Sequence, residues 1–213
     1  MKVYPTSKIR NIALVGHGGT GKTSLAEAML FNTGAIKRMG KVDDGNTVSD
    51  YAPEEVKRQI TISSSLVPCE YRDHKINLVD TPGYSDFYFE VVGTMRVIDS
   101  MLMLLSATAG VEVQTEIVWQ DYPDIPKLAF INKMDRENAN FYKVLDQMKD
   151  TFSDNIVPLQ LPIGAEDSFK GVVDLIKMKA YIFEPGTGKA KEEDIPADMM
   201  ADAESYKEAL IEA

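Results

Sequence analysis

Short apolar runs alternate along the chain with segments in which apolar residues recur at helical spacing. The runs predict strands at Ile12–Val15, Ile60–Tyr71, Ile76–Val79, Met101–Leu105 and Leu128–Ile131. The helically spaced segments predict helices at Lys22–Thr33, Phe87–Ile98, Glu112–Trp119 and Asn138–Phe152. Alternating strands and helices are typical of an α/β fold, so we expect a mostly parallel sheet flanked by helices.

A long polar stretch separates the first predicted helix from the second predicted strand. Residues 34–58 contain Gly-Asn, Asp-Asp and Ala-Pro pairs, which favour turns and irregular structure. A connection of this length inside a compact domain is usually functional or disordered. We therefore expect a polar loop here with a role beyond joining two elements.

Composition narrows the class of protein. The chain has 213 residues, of which 44% are hydrophobic, as in a globular protein of one domain or of one domain and part of another. Its net charge of −10 argues against broad contact with a nucleic-acid backbone. The single cysteine, Cys69, cannot form an internal disulfide, and two histidines do not suggest a zinc site. The longest apolar run, Met101–Leu105, is too short to span a bilayer, so we expect a cytoplasmic protein that does not bind a membrane. The negative net charge leads us to expect no direct DNA binding.

The segment between the first strand and the first helix carries the clearest chemical signal. It has the G-x-x-x-x-G-K-T spacing of a phosphate-binding P-loop, in which glycines let backbone N–H groups converge on a phosphate. Lys22 would reach the outer phosphates, and the Thr23 hydroxyl would ligate Mg²⁺. An ordinary glycine turn is the alternative, but the strand before and the helix after the motif favour the P-loop. The predicted phosphate-binding residues are Gly16, His17, Gly18, Gly19, Thr20, Gly21, Lys22, Thr23 and Ser24.

The same glycines permit a second interpretation. Gly16, Gly18 and Gly21 also fit G-x-G-x-x-G, the fingerprint of dinucleotide-binding domains. That fingerprint requires an acidic residue at the end of a second strand about 20 residues further on, and residues 34–46 have no strand pattern. Because the Lys-Thr pair has no part in that fingerprint, we favour the P-loop.

A second motif follows the predicted strand Ile76–Val79. It stands where P-loop proteins place a Mg²⁺-sensing element, so the Asp80 carboxylate would hold the ion through water and the Gly83 N–H would contact a γ-phosphate. The tetrapeptide D-T-P-G is also a good β-turn, which is the purely structural alternative. The predicted nucleotide contacts in this segment are Asp80, Thr81, Pro82, Gly83 and Tyr84.

A third motif follows the predicted strand Leu128–Ile131 and indicates the base. A carboxylate at Asp135 would accept hydrogen bonds from N1–H and the exocyclic amine of guanine, whereas adenine lacks this pair of donors. N-K-x-D alone is a common tetrapeptide, but its order after the two other motifs predicts a GTP-binding protein and disfavours an ATPase or kinase. The predicted base-binding residues are Asn132, Lys133, Met134 and Asp135.

Together these motifs resemble the GTP-binding domain of bacterial elongation factor G and its close paralogues. The resemblance covers essentially all of the chain and extends beyond the nucleotide motifs. The other segments similar to the family are Arg58–Ile62, Ala109–Glu116 with Trp119, Asn132–Arg136 with Ala139–Phe141, Leu159–Glu166 and Gly171–Leu175.

The resemblance implies a complete site and its partners. Thr61 would join Thr23 on Mg²⁺ when GTP is bound, and residues 34–60 would be the mobile switch I that hydrolysis releases. The implied ligands are GTP, GDP and Mg²⁺, with the metal held by Thr23, Thr61 and, through water, Asp80. The implied catalytic residues are Lys22, Thr61, Gly83 and Tyr84. The implied partner is the ribosome, engaged by the full-length protein, of which we expect this chain to be a monomeric fragment.

Several positions depart from the family pattern. Tyr84 stands where translational GTPases usually have a histidine that orients the attacking water, and tyrosine cannot offer an imidazolium near neutral pH. Gly18 and Gly19 replace an apolar residue and an aspartate, which removes one apolar neighbour of the water and one loop carboxylate. Gln59 replaces a glycine. We therefore expect a divergent paralogue with slow intrinsic hydrolysis.

The resemblance also implies how the chain is divided. Residues 1–156 would form the GTP-binding core without its last strand and helix, and residues 157–213 would begin an inserted α+β subdomain. In the insert we expect a turn at Glu184–Lys189 and an amphipathic helix at Met199–Ala213. Gly164 and Ala165 lie at the distance expected for the family's Ser-Ala base loop, but their surroundings match the insert.

The sequence is compatible with three functions. The first is a translational GTPase switch that acts on the ribosome. The second is a related ribosome-bound GTPase that serves ribosomal protection or release and recycling. The third is a module that binds GTP and scarcely hydrolyses it, for which Tyr84 is the main support.

Overall fold

The computed structural model describes residues 2–184 and 189–212, and the chain divides into two compact units. The first unit comprises Met1–Leu105 and Glu112–Asn132, and the second comprises Ser106–Val111 and Lys133–Ala213. Among the described residues, no helix combines the length and the apolar character needed to cross a membrane.

The first unit alternates strands and helices in the predicted order. Its strands are β1 (Ile9–Val15), β2 (Ser65–Tyr71), β3 (His74–Asp80), β4 (Ser100–Ser106) and β5 (Lys127–Asn132). Its helices are α1 (Lys22–Asn32), α2 (Pro53–Arg58), α3 (Tyr88–Thr94) and α4 (Val113–Asp121). This alternation confirms the predicted α/β fold.

The strands form one sheet in the order β2-β3-β1-β4-β5. β1 runs parallel to both of its neighbours, β3 and β4, and β2 pairs with β3 in the antiparallel sense. In this register Leu14 lies opposite Asp80, so β1 and β3 end at the same edge of the sheet. The P-loop, which follows β1, and the D-T-P-G motif, which starts at the last residue of β3, therefore emerge side by side.

Helix α1 covers the sheet and closes the core of the first unit. The buried side chains of this core are Leu14, Ala26, Leu30, Val67, Cys69, Leu78 and Leu104. Because α1 begins directly after the P-loop, the same packing that buries Ala26 and Leu30 fixes the helix N-terminus at the edge of the sheet.

The loop between α1 and β2 contains a helix, which corrects the prediction of an irregular stretch over residues 34–58. Pro53 begins α2 with a φ suited to a first helical residue, and the Glu55 carboxylate accepts a hydrogen bond from the Ala52 N–H at 3.1 Å. Six residues are too few to show an apolar period, so the pattern missed this helix. Gln59 ends α2 with a φ of 55°, in the left-handed region that favours glycine.

Two predicted boundaries are wrong by several residues. The second strand begins at Ser65 and not at Ile60, because the N–H groups of residues 62–64 donate to carboxylates and not to a neighbouring strand. The helix predicted at Phe87–Ile98 is a 3₁₀ turn, Ser85–Phe87, followed by α3, which ends at Thr94.

The second unit has its own sheet and core. Its elements are α5 (Phe141–Thr151), β6 (Gln160–Ile163), β7 (Gly171–Asp174), β8 (Lys179–Glu184), β9 (Lys189–Glu193) and α6 (Met200–Glu212). The strands pair antiparallel in chain order around a core of Leu161, Ile163, Val173, Leu175, Ala180, Ile195 and Ala203. Helix α5 starts after Asn140, whose side chain accepts the Lys143 N–H at 3.0 Å, and not at Asn138 as predicted. Helix α6 lies within the predicted Met199–Ala213, whereas the predicted turn at Glu184–Lys189 includes residues 185–188, outside the described residues.

Candidate nucleotide-binding site

The P-loop runs from the end of β1 to the first residue of α1. Gly16 and Gly21 have φ values of 136° and 98°, which side chains other than glycine rarely adopt. A Cβ atom on Gly16 would collide with the Leu104 carbonyl oxygen, and one on Gly21 would collide with the Asn132 amide nitrogen. The close approach of the Leu104 backbone and of the Asn132 side chain therefore requires glycine at these two positions, which are the two fixed glycines of the P-loop spacing.

Lys22 is buried at the base of this loop. Its side chain is only 6% exposed, and Nζ donates hydrogen bonds to the carbonyl oxygens of Gly16 and His17, both at 2.9 Å. Burial lowers the pKa of the ammonium group to about 8, although nearby acidic charges, that of Asp80 foremost, oppose this shift. The direct partners of Nζ are neutral carbonyl oxygens, so a phosphate group would bring a negative charge into contact with this buried cation.

The three residues predicted to hold Mg²⁺ lie together next to Lys22. The Thr23 hydroxyl donates to Asp80 Oδ2 at 2.8 Å and lies 3.1 Å from the Thr61 hydroxyl. Thr23, Thr61 and Asp80 are all buried. Burial raises the pKa of Asp80 to about 6, while hydrogen bonds from hydroxyl groups, first that of Thr23, partly oppose the shift.

Two residues that the sequence reasoning missed complete this cluster. The Ser49 hydroxyl donates to Asp80 Oδ2 at 2.8 Å, and the carboxyl group of Asp50, which is 4% exposed, lies near Thr23 and Thr61. Burial raises the pKa of Asp50, and hydrogen bonds from the two threonine hydroxyls oppose the increase. Both residues belong to the polar loop, which has no periodic pattern from which they could be predicted. The signal that could have identified them is a pair of oxygen-bearing residues, Ser and Asp, in a loop expected to contact Mg²⁺.

The cluster suits a hard cation. Oδ1 of Asp80 and Oδ1 of Asp50 are buried, and among the described residues neither has a hydrogen-bond partner. Mg²⁺ prefers oxygen ligands and is usually bound by one or two carboxylates together with substrate phosphates. The hydroxyl and carboxylate oxygens present here therefore fit Mg²⁺.

The D-T-P-G segment is held against the P-loop. The Thr81 hydroxyl donates to the Leu14 carbonyl oxygen at 2.7 Å, which ties the end of β3 to β1. Pro82 and Gly83 are buried, whereas the side chain of Tyr84 is 43% exposed. This segment is therefore part of the same site and not merely a surface turn.

The other predicted P-loop residues have different surroundings. Thr20 is buried, and its hydroxyl donates to the His17 carbonyl oxygen at 3.0 Å. His17 Nε2 lies 3.6 Å from Glu112 Oε1. Ser24 is exposed on α1, and an added Cβ on Gly19 would meet nothing within 4 Å.

Three carboxylates hold the long loop, residues 33–64, by its backbone. Glu27 is 1% exposed and accepts the N–H groups of Gly40 and Val48 at 2.7 and 2.5 Å. Glu55 accepts the N–H groups of residues 62 and 63 at 2.9 and 3.1 Å, and Glu90 accepts that of residue 64 at 2.8 Å. These bonds hold the loop on both sides of Thr61, whose hydroxyl lies 3.1 Å from that of Thr23.

The N-K-M-D motif is divided between the two units, because the first unit ends at Asn132 and the second continues from Lys133. In the first unit, Asn132 Nδ2 donates to the Thr20 carbonyl oxygen at 2.9 Å, which links β5 to the P-loop.

The remainder of the motif lies in the second unit. Lys133 has a φ of 63°, Met134 is buried, and Asp135 is exposed. Glu166 supports this segment: its N–H donates to the Met134 carbonyl oxygen at 2.8 Å, and its carboxylate accepts the Asn138 N–H at 2.7 Å. Sequence reasoning missed Glu166, because nothing in the motif indicates a partner so far along the chain.

The glycine loop, the buried lysine and the oxygen cluster at one edge of a mostly parallel sheet define a P-loop nucleotide-binding domain. The sequence model of the elongation factor Tu GTP-binding domain matches residues 7–206, and the chain belongs to that family. These findings confirm the resemblance to translational GTPases.

Two relatives show how far the similarity extends. Elongation factor G of Granulibacter bethesdensis is 46% identical over 216 aligned positions, which cover 100% of this chain and 31% of that protein. A crystal structure of a protein from Thermus thermophilus superposes with a TM-score of 0.90 at 34% identity and covers 97% of this chain and 31% of that one. The chain thus spans about a third of the length of either relative.

Proposed function

We propose that this chain is the GTP-binding and GTP-hydrolysing switch domain of an elongation factor G-like translation factor that acts on the ribosome. The observation that carries the proposal is the contact of Thr23 with both Asp80 and Thr61 beside buried Lys22. Thr61 belongs to the long loop, so binding of metal and phosphate at this point would decide the position of that loop.

Different residues of the site bind the metal ion, the phosphates and the base. Thr23, Thr61 and, through water, Asp80 would hold Mg²⁺, which neutralises phosphate charge when bound. Lys22 provides a second positive charge, and Asp135 selects guanine by accepting two hydrogen bonds. GTP and GDP are the proposed nucleotides.

Hydrolysis requires mainly that a water molecule be positioned and that developing charge be stabilised. Lys22 supplies the charge, the Gly83 N–H contacts the terminal phosphate, and Tyr84 is the side chain available to orient water. A phenol is a weaker substitute for a histidine side chain in this role, so we propose a low intrinsic rate.

We also propose how the chain is divided, where the protein works and what it does not bind. Residues 1–156 form the GTP-binding core, and residues 157–213 begin an inserted subdomain. The protein works in the cytoplasm, and the isolated chain is a monomer that binds neither membrane nor DNA. The match of the whole chain to about a third of an elongation factor G supports a larger protein with further domains.

Ribosome dependence is the direct test of this function. We expect single-turnover GTP hydrolysis by the full-length protein to be slow alone and to rise at least about tenfold with ribosomes, because the partner completes a weak hydrolytic site. Ribosome-stimulated hydrolysis without translocation activity would favour the protection or recycling alternative. Binding of GTP with no hydrolysis under either condition would favour the third alternative, a binding module, which the departure at Tyr84 supports.

The long loop is expected to respond to the terminal phosphate. Hydrogen exchange in residues 34–60 should be markedly slower with Mg²⁺ and a non-hydrolysable GTP analogue than with GDP, because Thr61 joins the metal only in the first state. Peptides of the β6–β9 sheet serve as the internal control. Equal exchange of the loop in both nucleotide states would contradict the assignment of a switch.

Replacement of Tyr84 by histidine tests the origin of the low rate. We expect Tyr84→His to increase GTP turnover while it leaves GDP affinity nearly unchanged, because the residue acts on water and not on the bound diphosphate. Tyr71→His, at an exposed tyrosine on β2 outside the site, is the matched control. A decrease in turnover would show that Tyr84 is itself adapted to position the water.

A further inference from the structure

The ring of Tyr84 lies directly against the P-loop at Gly18. A Cβ atom built on Gly18 would lie 2.7 Å from Cζ of the ring and 2.9 and 3.0 Å from its two Cε atoms. Non-bonded carbon atoms rest at about 3.5–4.0 Å. The hydroxyl-bearing end of the ring therefore occupies the space that any side chain at position 18 would need.

Backbone conformation does not explain why this position is glycine. Gly16, Gly19 and Gly21 have φ values of 136°, 75° and 98°, whereas Gly18 is not among the described residues with positive φ. An alanine could adopt the backbone conformation of Gly18. The neighbouring ring is thus what excludes a side chain there.

The backbone before Tyr84 is fixed to the same loop. A Cβ atom on Gly83 would lie 2.6 Å from the Gly18 nitrogen and 2.7 Å from the His17 carbonyl carbon, and it would collide with Lys22 Nζ. The chain reaches Tyr84 in direct contact with the P-loop, and this anchors the start of its side chain beside Gly18.

We propose that Gly18 and Tyr84 form a coupled pair in which the ring covers the P-loop where a side chain at position 18 would otherwise lie. The ring takes the place of the apolar neighbour of the attacking water that is lost because position 18 is glycine. The two departures from the family, Gly18 and Tyr84, therefore depend on each other. Gly18 is a positioning residue that acts through Tyr84. This role rests on the proposed function, since covering the loop affects hydrolysis only if the loop binds GTP.

A pairwise substitution cycle tests the coupling in the nucleotide-free, full-length protein. Gly18→Ala should accelerate hydrogen exchange of peptides covering residues 16–24 by about tenfold or more, because the added methyl group displaces the ring. In a Tyr84→Ala background the same change should have no effect. Gly93→Ala, where an added Cβ meets nothing within 4 Å, is the control and should act equally in both backgrounds. Equal acceleration by Gly18→Ala in both backgrounds would overturn the pair; if Gly18→Ala alone failed to fold, recovery of folding in the double variant would support it.

Measurements of GTP hydrolysis distinguish the contribution of the Tyr84 ring from that of its hydroxyl group. Ribosome-stimulated, single-turnover hydrolysis should fall by about tenfold or more in Tyr84→Ala and should fall much less in Tyr84→Phe, which keeps the cover and loses only the hydroxyl group that orients water. Equal losses in the two variants would refute the covering role. A wild-type protein that binds no guanine nucleotide would refute the proposed function and leave the exchange comparison interpretable, whereas wild-type hydrolysis with equal exchange in both backgrounds would refute the pair alone.

Discussion

Asp135→Asn is expected to reduce GDP affinity by about 100-fold, with little change in the much weaker affinity for ADP. In the proposed site the carboxylate would accept two donors of guanine, and hydrogen bonds to charged groups contribute about 1.5–3 kcal/mol each. The asparagine retains one acceptor and presents an amide to a ring that offers only donors there. The ratio of GDP to ADP affinity, measured by competition against a fluorescent nucleotide, is the quantity that reports base recognition.

Two controls make this result specific. Asp150→Asn removes a carboxylate from α5 in the same unit and should leave the ratio unchanged. Xanthosine diphosphate carries a carbonyl group in place of the exocyclic amine of guanine, so its affinity for Asp135→Asn should increase as that for GDP falls. A wild-type protein with equal affinity for adenine and guanine nucleotides would refute the assignment of Asp135.

The other large effect is expected at Lys22. Lys22→Ala should weaken both GDP and GTP binding by about 100-fold or more, because a buried charge that meets phosphate is lost. Lys22→Arg should weaken binding of both nucleotides almost as much, since Nζ lies in a confined space against Gly83 and a guanidinium group is larger and planar. Isothermal titration with each nucleotide provides the measurement.

A lysine outside the site is the control for this comparison. Lys143 is exposed on α5, and Lys143→Ala should bind nucleotide as the wild-type protein does. Near-normal affinity of Lys22→Ala would show that the P-loop lysine does not contact phosphate, and the proposed site would fail with it.

The predicted site emerged from local rules. Gly16 and Gly21 must be glycine because backbone and amide groups approach them closely, and such requirements produce a fixed spacing in the sequence. Asp80 follows from its place at the end of an apolar strand. Where a residue is needed by its immediate neighbours, pattern and structure therefore agree.

The residues that were missed depend on contacts distant in sequence. Ser49 and Asp50 lie in the oxygen cluster around Asp80, on a loop that the buried Glu27 carboxylate holds, and a polar loop shows no period from which this could be predicted. Gly18 and Tyr84 appear in the sequence as two separate departures, although the structure places one directly against the other. Contacts of this kind require the folded chain.

The way in which Glu27, Glu55 and Glu90 hold the long loop sets which substitutions the loop can accept. Each carboxylate receives backbone N–H groups of the loop, and every amino acid except proline carries that group. The side chains of Val48 and Ser63, which are exposed, can therefore be exchanged for new surface chemistry without loss of the attachment. Gly40 cannot, because an added Cβ atom would lie 2.9 Å from Glu27 Oε2 and 2.6 Å from the Asn46 carbonyl oxygen. A proline scan would mark the attachment points as the positions where a single substitution detaches a segment of the loop without changing Ser49, Asp50 or Thr61 of the oxygen cluster.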